Sequence, residues 1–200
     1  MKSKLFLIFT VVVFFTFSDG NCQKRRTSYF TGIGFELDVL PYFTGGYYGS
    51  IWYGHGPVRG RFIVANTNVP SFFIPTGFKD YNLQVYALIG DYFIQSSSFE
   101  KLWVGLGVEY WDGTIVSEST EISADHNNYV ITIRLGYVWK FYKNFYLNPW
   151  FGLHIIAAGD TSVPVGNEEF KPPVITPEIS LKLGWHFTIQ NRKRSYLRSR

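Results

Sequence analysis

The chain has 200 residues, enough for one domain or one barrel. Aromatic residues make up 20% of it and charged residues only 17%, against about 25% in an average soluble domain. The formal charge of +4 misleads: ten of the 19 Lys and Arg lie in residues 1–26 and 188–200, so residues 27–187 carry more acid than base and nothing there marks a nucleic-acid partner.

Residues 1–22 read as a signal peptide. Lys2 and Lys4 form a basic start, and Leu5 to Phe17 is an apolar run broken only by Thr10 and Thr16. That run falls short of the roughly 18 residues a spanning helix needs, but it suits export. Gly20 and Cys22 give a small-x-small pattern, so cleavage falls after Cys22 or after Gly20. Cys22 also raises a lipoprotein reading, which Asp19 and Asn21 fit poorly. It is the chain's one cysteine, so an exported protein must hold together without disulfides.

Residues 23–187 show no helical period. Eight runs alternate with period two, which is the strand signal. In chain order they are Thr31–Pro41, Gly46–Gly54, Val58–Asn66, Tyr81–Ile94, Leu102–Asp112, Tyr129–Phe141, Phe145–Ala157 and Glu178–Phe187. The first sets Ile33, Phe35, Leu37 and Val39 against Gly34, Glu36 and Asp38. In the third, Arg59 and Arg61 share a face opposite Phe62 and Val64. The fourth sets Leu83, Val85, Ala87 and Ile89 against Gln84, Tyr86 and Gly90. The fifth is the clearest, with Leu102, Val104, Leu106, Val108 and Tyr110 opposite Trp103, Gly105, Gly107, Glu109 and Trp111.

Connections are sorted by length. Gly54–Pro57, Gln95–Lys101 and Tyr142–Asn144 are short; at the other end Thr67–Asp80, Gly113–Asn128 and Ala158–Pro177 are long and only the first, Tyr42–Gly45, is short. Tight turns at one end and long loops at the other are the layout of a transmembrane barrel. In hydrocarbon every backbone polar group must pair internally, so strands cross only as a closed barrel. The Ile, Leu, Val and Phe stripe then faces lipid, the fourth run's Leu83–Ile89 set included. Tyr110, Tyr129, Tyr137, Trp139 and Trp185 mark the interfacial girdles.

The mixed face points inward. It collects Glu36, Asp38, Arg59, Arg61, Glu109, Arg134, Lys140, His154, Glu178, Lys182 and His186. An eight-stranded barrel is just wide enough for side chains to fill, and buried charges must pair there. The expectation is a packed polar plug rather than a channel. Gly34, Gly105, Gly107, Gly136, Gly152 and Gly184 make room for Trp103, Trp111 and Trp150.

These features resemble the small eight-stranded outer-membrane barrels of the OmpX, OmpW and OmpA-barrel type. The resemblance spans Tyr29 to Phe187 and rests on architecture, not on a diagnostic motif. It implies an all-β, eight-stranded antiparallel transmembrane β-barrel (an up-and-down meander) in the outer membrane of a Gram-negative bacterium. It implies contact with outer-membrane lipid and lipopolysaccharide, and assembly by the barrel assembly machinery, which reads a terminal aromatic such as Phe187. Residues 188–200 depart from that pattern and read as a basic periplasmic tail, disordered by default. A lipocalin is the soluble rival, with its apolar face turned inward.

Three functional readings follow. The first is a structural or surface-interaction protein whose loops, residues 113–128 and 158–177, hold an extracellular ligand. The second is a passive channel or transporter for small solutes, apolar ones among them. The third is a lipid A-modifying hydrolase or acyltransferase, for which the loops supply Ser117, Ser119, Ser123 and His126 without a His-x-Ser motif. The expectation is no enzyme, no cofactor and no metal, although His154 and His186 could meet on adjacent strands. Asp112, Glu118, Glu121, Asp125, Asp160, Glu168 and Glu169, balanced only by Lys171, could share divalent cations with lipopolysaccharide.

Overall fold

A computed structural model describes residues 28–192. The proposed signal peptide, residues 1–22, and the tail from residue 193 lie outside the described residues. The long strands are β1 (Ser28–Asp38), β2 (Tyr47–His55), β3 (Val58–Asn68), β4 (Phe78–Phe93), β5 (Lys101–Ser117), β6 (Ser123–Tyr142), β7 (Phe145–Gly159) and β10 (Ile175–Arg192). These eight close into an antiparallel barrel in the order β1-β10-β7-β6-β5-β4-β3-β2. Between β7 and β10 a small hairpin forms from β8 (Val163–Val165) and β9 (Glu168–Phe170). Closure leaves no sheet edge, because β1 pairs along its length with β10.

The barrel has a base, which carries both ends of the described chain and the short turns, and a mouth with the longer connections. Its exterior is apolar. On β6, Tyr129, Ile131, Ile133, Leu135, Tyr137 and Trp139 are exposed, while Val130, Thr132, Arg134 and Val138 are buried. A soluble protein does not turn such a stripe outward, so the lipocalin arrangement is inverted here. From Tyr129 to Trp139 the strand rises about 34 Å, or about 26 Å in height at a tilt of about 40°. That spans a thin bilayer, and the chain forms a transmembrane barrel.

The girdle residues sit at the edges of this band. Tyr110 and Tyr129 are cross-strand partners near the mouth, with ring centroids 5.4 Å apart. Tyr137 and Trp139 are exposed toward the base, where Trp185 stacks on Phe35 at 5.8 Å.

Four expectations need correction. The fourth run has the opposite phase: Ala87 and Ile89 are buried in the lumen, while Tyr86, Leu88 and Tyr92 face out. Both faces of this strand are apolar, so alternation alone sets no phase. Asp91, buried and opposite Arg59 in the β3–β4 register, decides it. The first strand stops before Pro41, because a helical turn, α1 (Val39–Phe43), follows and Asp38 Oδ1 caps it by accepting from Leu40 N at 3.2 Å. Gly113–Asn128 is mostly strand, since β5 and β6 run on to Ser117 and from Ser123. Lastly, β10 continues five residues past Phe187 to Arg192, paired with β1 as far as Ser28.

Candidate functional site

Alternation turns Glu36, Arg59, Arg61 and Asp91 into the base half of the lumen, all fully or almost fully buried. Arg59 Nε donates to Asp91 Oδ2 at 2.8 Å, and its Nη1 donates to Glu36 Oε1 at 3.1 Å. Arg61 donates to Asp91 Oδ1 at 2.8 Å and to Glu36 Oε2 at 3.1 Å. Two guanidinium groups thus bridge the same two carboxylates, and the charges cancel.

The network then crosses the barrel. Tyr146 Oη and Asn148 Nδ2, both on β7, donate to Glu36 Oε1 at 3.0 Å each. Trp52 Nε1 donates to Tyr146 Oη at 3.0 Å, and Trp103 Nε1 to Asn148 Oδ1 at 2.9 Å. Six of the eight long strands contribute to one connected cluster.

Aromatic rings wall it. Arg59 Cζ lies 5.1–5.6 Å from the rings of Trp52, Phe93 and Trp103, and Arg61 Cζ lies 4.7 Å from Trp103. At the base, Phe99 from the β4–β5 turn folds inward with no exposure, a cork the sequence did not announce. It stands at φ +60, a costly backbone for a bulky residue, held by its buried ring. Gly54 leaves the space it fills, since a Cβ there would lie 2.4 Å from the ring. The expected glycine–tryptophan fit appears at Gly136, where a Cβ would meet Trp103 at 2.4 Å, and at Gly152 against Trp150.

The mouth half carries a second polar cluster. Arg134 pairs with Glu109 and donates from Nε to Thr132 Oγ1 at 3.1 Å. Glu109 also accepts from Trp111 Nε1 at 2.7 Å and faces His154 Nδ1 at 3.1 Å. His154 Nε2 stands 3.0 Å from Glu178, which is half-exposed. Asp38 accepts from Ser180 and from Trp150 Nε1, the latter at 2.9 Å. Lys182, opposite Asp38 in the register, is buried with its Nζ 4.0 Å from the Trp150 ring.

Between α1, the segment 69–77 and the start of β10, this cluster opens onto a cavity of about 200 Å³. Its lining combines apolar Ile63, Ala65, Leu83 and Val85, with Tyr48 packed beside Ala65, and polar Glu109, Arg134, Trp150, His154 and Glu178. Beyond it the β8–β9 hairpin covers part of the mouth. Val163, Val165 and Phe170 pack on Tyr81 and Ile115, and Phe170 also touches His126 at 5.5 Å between ring centroids.

The structure separates some residues that the sequence grouped. Lys140 does not join the lumen network: it is half-buried at the base rim, 3.7 Å from Glu100. His186 lies in the base half beside Tyr146 and Trp52, whereas His154 is in the mouth half, so the two do not meet. Among the described residues no group of three or more His, Cys, Asp or Glu is placed to hold a metal.

Most of the acidic loop residues have partners within the chain. Glu121 takes Lys79 Nζ on both oxygens at 2.6 Å, Asp125 accepts from Thr114 at 2.7 Å, and Asp160 accepts from Asn127 N at 2.8 Å. Glu168 accepts from Ser117 at 3.1 Å, and Glu169 binds Ser162 and Lys171. Ser117 is thereby occupied, while His126 Nδ1 bonds Asn128 Oδ1 at 2.8 Å. No serine–histidine hydrogen bond forms at the mouth among the described residues.

No protein-family model matches the chain, and no curated protein does. Two solved structures are similar in fold. Neisserial surface protein A aligns with 80% of this chain and 97% of its own at 11% identity and a TM-score of 0.46. A major outer membrane protein from Thermus thermophilus aligns with 80% of this chain and 100% of its own at 12% identity and a TM-score of 0.42.

Proposed function

We propose that the protein is a sealed barrel of the bacterial outer membrane that anchors and presents its mouth surface, rather than a pore or an enzyme. The fully buried Arg59–Arg61–Glu36–Asp91 cluster carries this reading, since it fills the lumen with paired charge above the Phe99 cork. With the base in the periplasm, β5 and β6 raise a hairpin out of the membrane. The surfaces 113–128 and 158–177 then face outward, toward lipopolysaccharide or an extracellular partner. The cleaved signal peptide and delivery to the barrel assembly machinery belong to the same reading.

The test is planar-bilayer recording with the refolded full chain. A sealed lumen gives no steady unitary conductance. Stable ohmic steps in single insertions would overturn it in favour of a channel. Lipid A incubated with the protein stays unchanged in mass; a deacylated or acyl-transferred product would establish the enzymatic reading instead.

A further inference from the structure

Among the buried donors of the mouth half without a hydrogen-bond partner in the described residues are Tyr48 Oη, Arg134 Nη1 and Lys182 Nζ. All three belong to residues at most 6% exposed. Two of them lie against the Trp150 ring, and the third is linked to Lys182. Lys182 Nζ lies 4.0 Å from the Trp150 centroid and Arg134 Cζ lies 4.7 Å from it, while Lys182 Nζ is 5.2 Å from the Tyr48 ring. Tyr48, Arg134 and Trp150 line the cavity of about 200 Å³, and Lys182, outside the lining, lies against the Tyr48 and Trp150 rings.

Buried polar groups are nearly always bonded, so three free donors together mark a place for an acceptor. The carboxylates nearby are already used. Glu109 serves Arg134, Trp111 and His154; Asp38 serves Ser180, Trp150 and the α1 cap; Glu178 faces His154 at 3.0 Å. What is missing is an oxygen-bearing head with at least two lone-pair sites. The Ile63, Ala65, Leu83 and Val85 part of the lining, next to Tyr48, asks for hydrocarbon, and the volume is below the roughly 300–1,000 Å³ of sites for drug-sized ligands.

We propose that this cavity binds a small carboxylate with a short apolar tail. The carboxylate accepts from Tyr48 Oη and Arg134 Nη1, with the Lys182 amine behind it, and the tail lies along Ile63, Ala65 and Val85. The entrance is beside Glu178, between Pro177 and the α1 turn. The site stands above the sealed lumen, so it goes beyond the sealed-barrel reading and survives or fails independently of conductance.

The experiment titrates hexanoate into the full chain in nanodiscs, with empty nanodiscs subtracted, and reads saturation-transfer NMR and calorimetry. Acetate, hexanol and hexylamine run in parallel. Hexanoate saturates, acetate and hexanol bind at least tenfold more weakly, and hexylamine does not compete. Tyr48→Phe weakens hexanoate about tenfold, the effect of removing one bond to a charged group. Ala65→Phe fills the tail side and abolishes binding, while retained heat-modifiable gel migration certifies that each variant is folded. No saturable hexanoate signal would overturn the proposal and leave the donors to water. Unchanged affinity in Tyr48→Phe, or hexylamine binding as tightly as hexanoate, would overturn it too.

Discussion

Replacing Asp91 by alanine removes the carboxylate that both arginines share. Arg59 Nε and Arg61 each lose a 2.8 Å charge-assisted bond, and Glu36 alone then faces two guanidinium groups with no exposure to water. Each such bond contributes about 1.5–3 kcal/mol, and breaking a buried ion pair from one side costs about 3–5 kcal/mol. The two figures describe the same loss, so we expect Asp91→Ala to destabilise the barrel by about 3–5 kcal/mol. Removing Arg61 as well, as Asp91→Ala with Arg61→Met, restores charge balance as one acid and one base. The double variant should be more stable than additivity predicts, with a coupling of about 1–3 kcal/mol. The assay is reversible urea unfolding in lipid vesicles, followed by tryptophan fluorescence and gel mobility. A loss below about 1 kcal/mol for the single variant, or strict additivity in the cycle, would refute the paired-plug account.

Two other outcomes test the exterior and the mouth. Arginine at Ile133, midway between Tyr129 and Tyr137 on the outer face, should cost about 2–4 kcal/mol, whereas arginine at Tyr129 should cost about 0–1 kcal/mol; equal penalties would mean that this stripe does not lie in hydrocarbon. The Ser162 hydroxyl and the Lys171 ammonium hold the exposed Glu169 carboxyl below its ordinary value at the β8–β9 hairpin. A depressed carboxylate contributes stability that is present above its unfolded pKa and lost as pH falls through its folded one. The Val163 and Val165 amides should therefore lose hydrogen-exchange protection, relative to the barrel strands, as pH drops below the ordinary glutamate range; unaltered relative protection there would show that this pairing does not fasten the hairpin.

The architecture was readable wherever charge or glycine alternates with aliphatic residues. On β5, β6 and β10, Glu109, Arg134 and Lys182 name the lumen face, and Leu106, Ile133 and Leu183 name the other. Alternation misleads on β4 because Ala87 and Ile89 are as apolar as Leu88 and Tyr92, and only the pairing of Asp91 with Arg59 breaks the tie. Phe99 escaped notice for a related reason: a lone aromatic in a serine-rich turn has no period. Beyond the girdle, Thr114, Ile115 and Val116 are good strand formers, but they no longer face lipid and so looked like loop. The grouping of Tyr48, Arg134 and Lys182 depends on the stagger between distant strands, which spacing within one strand does not reveal.

Glu36 is held by β3 on one side and by Tyr146 and Asn148 of β7 on the other. A closure of β1 on β10 shifted by two residues would keep every apolar side chain in lipid, because one aliphatic residue there replaces another. The same slip would carry Glu36 about 7 Å from Tyr146 and Asn148, since each strand residue rises about 3.4 Å. The membrane-facing surface is thus nearly indifferent to the barrel's shear, and the hydrogen bonds that Glu36 accepts from β7 across the seam act as the key that admits one alignment of first strand to last.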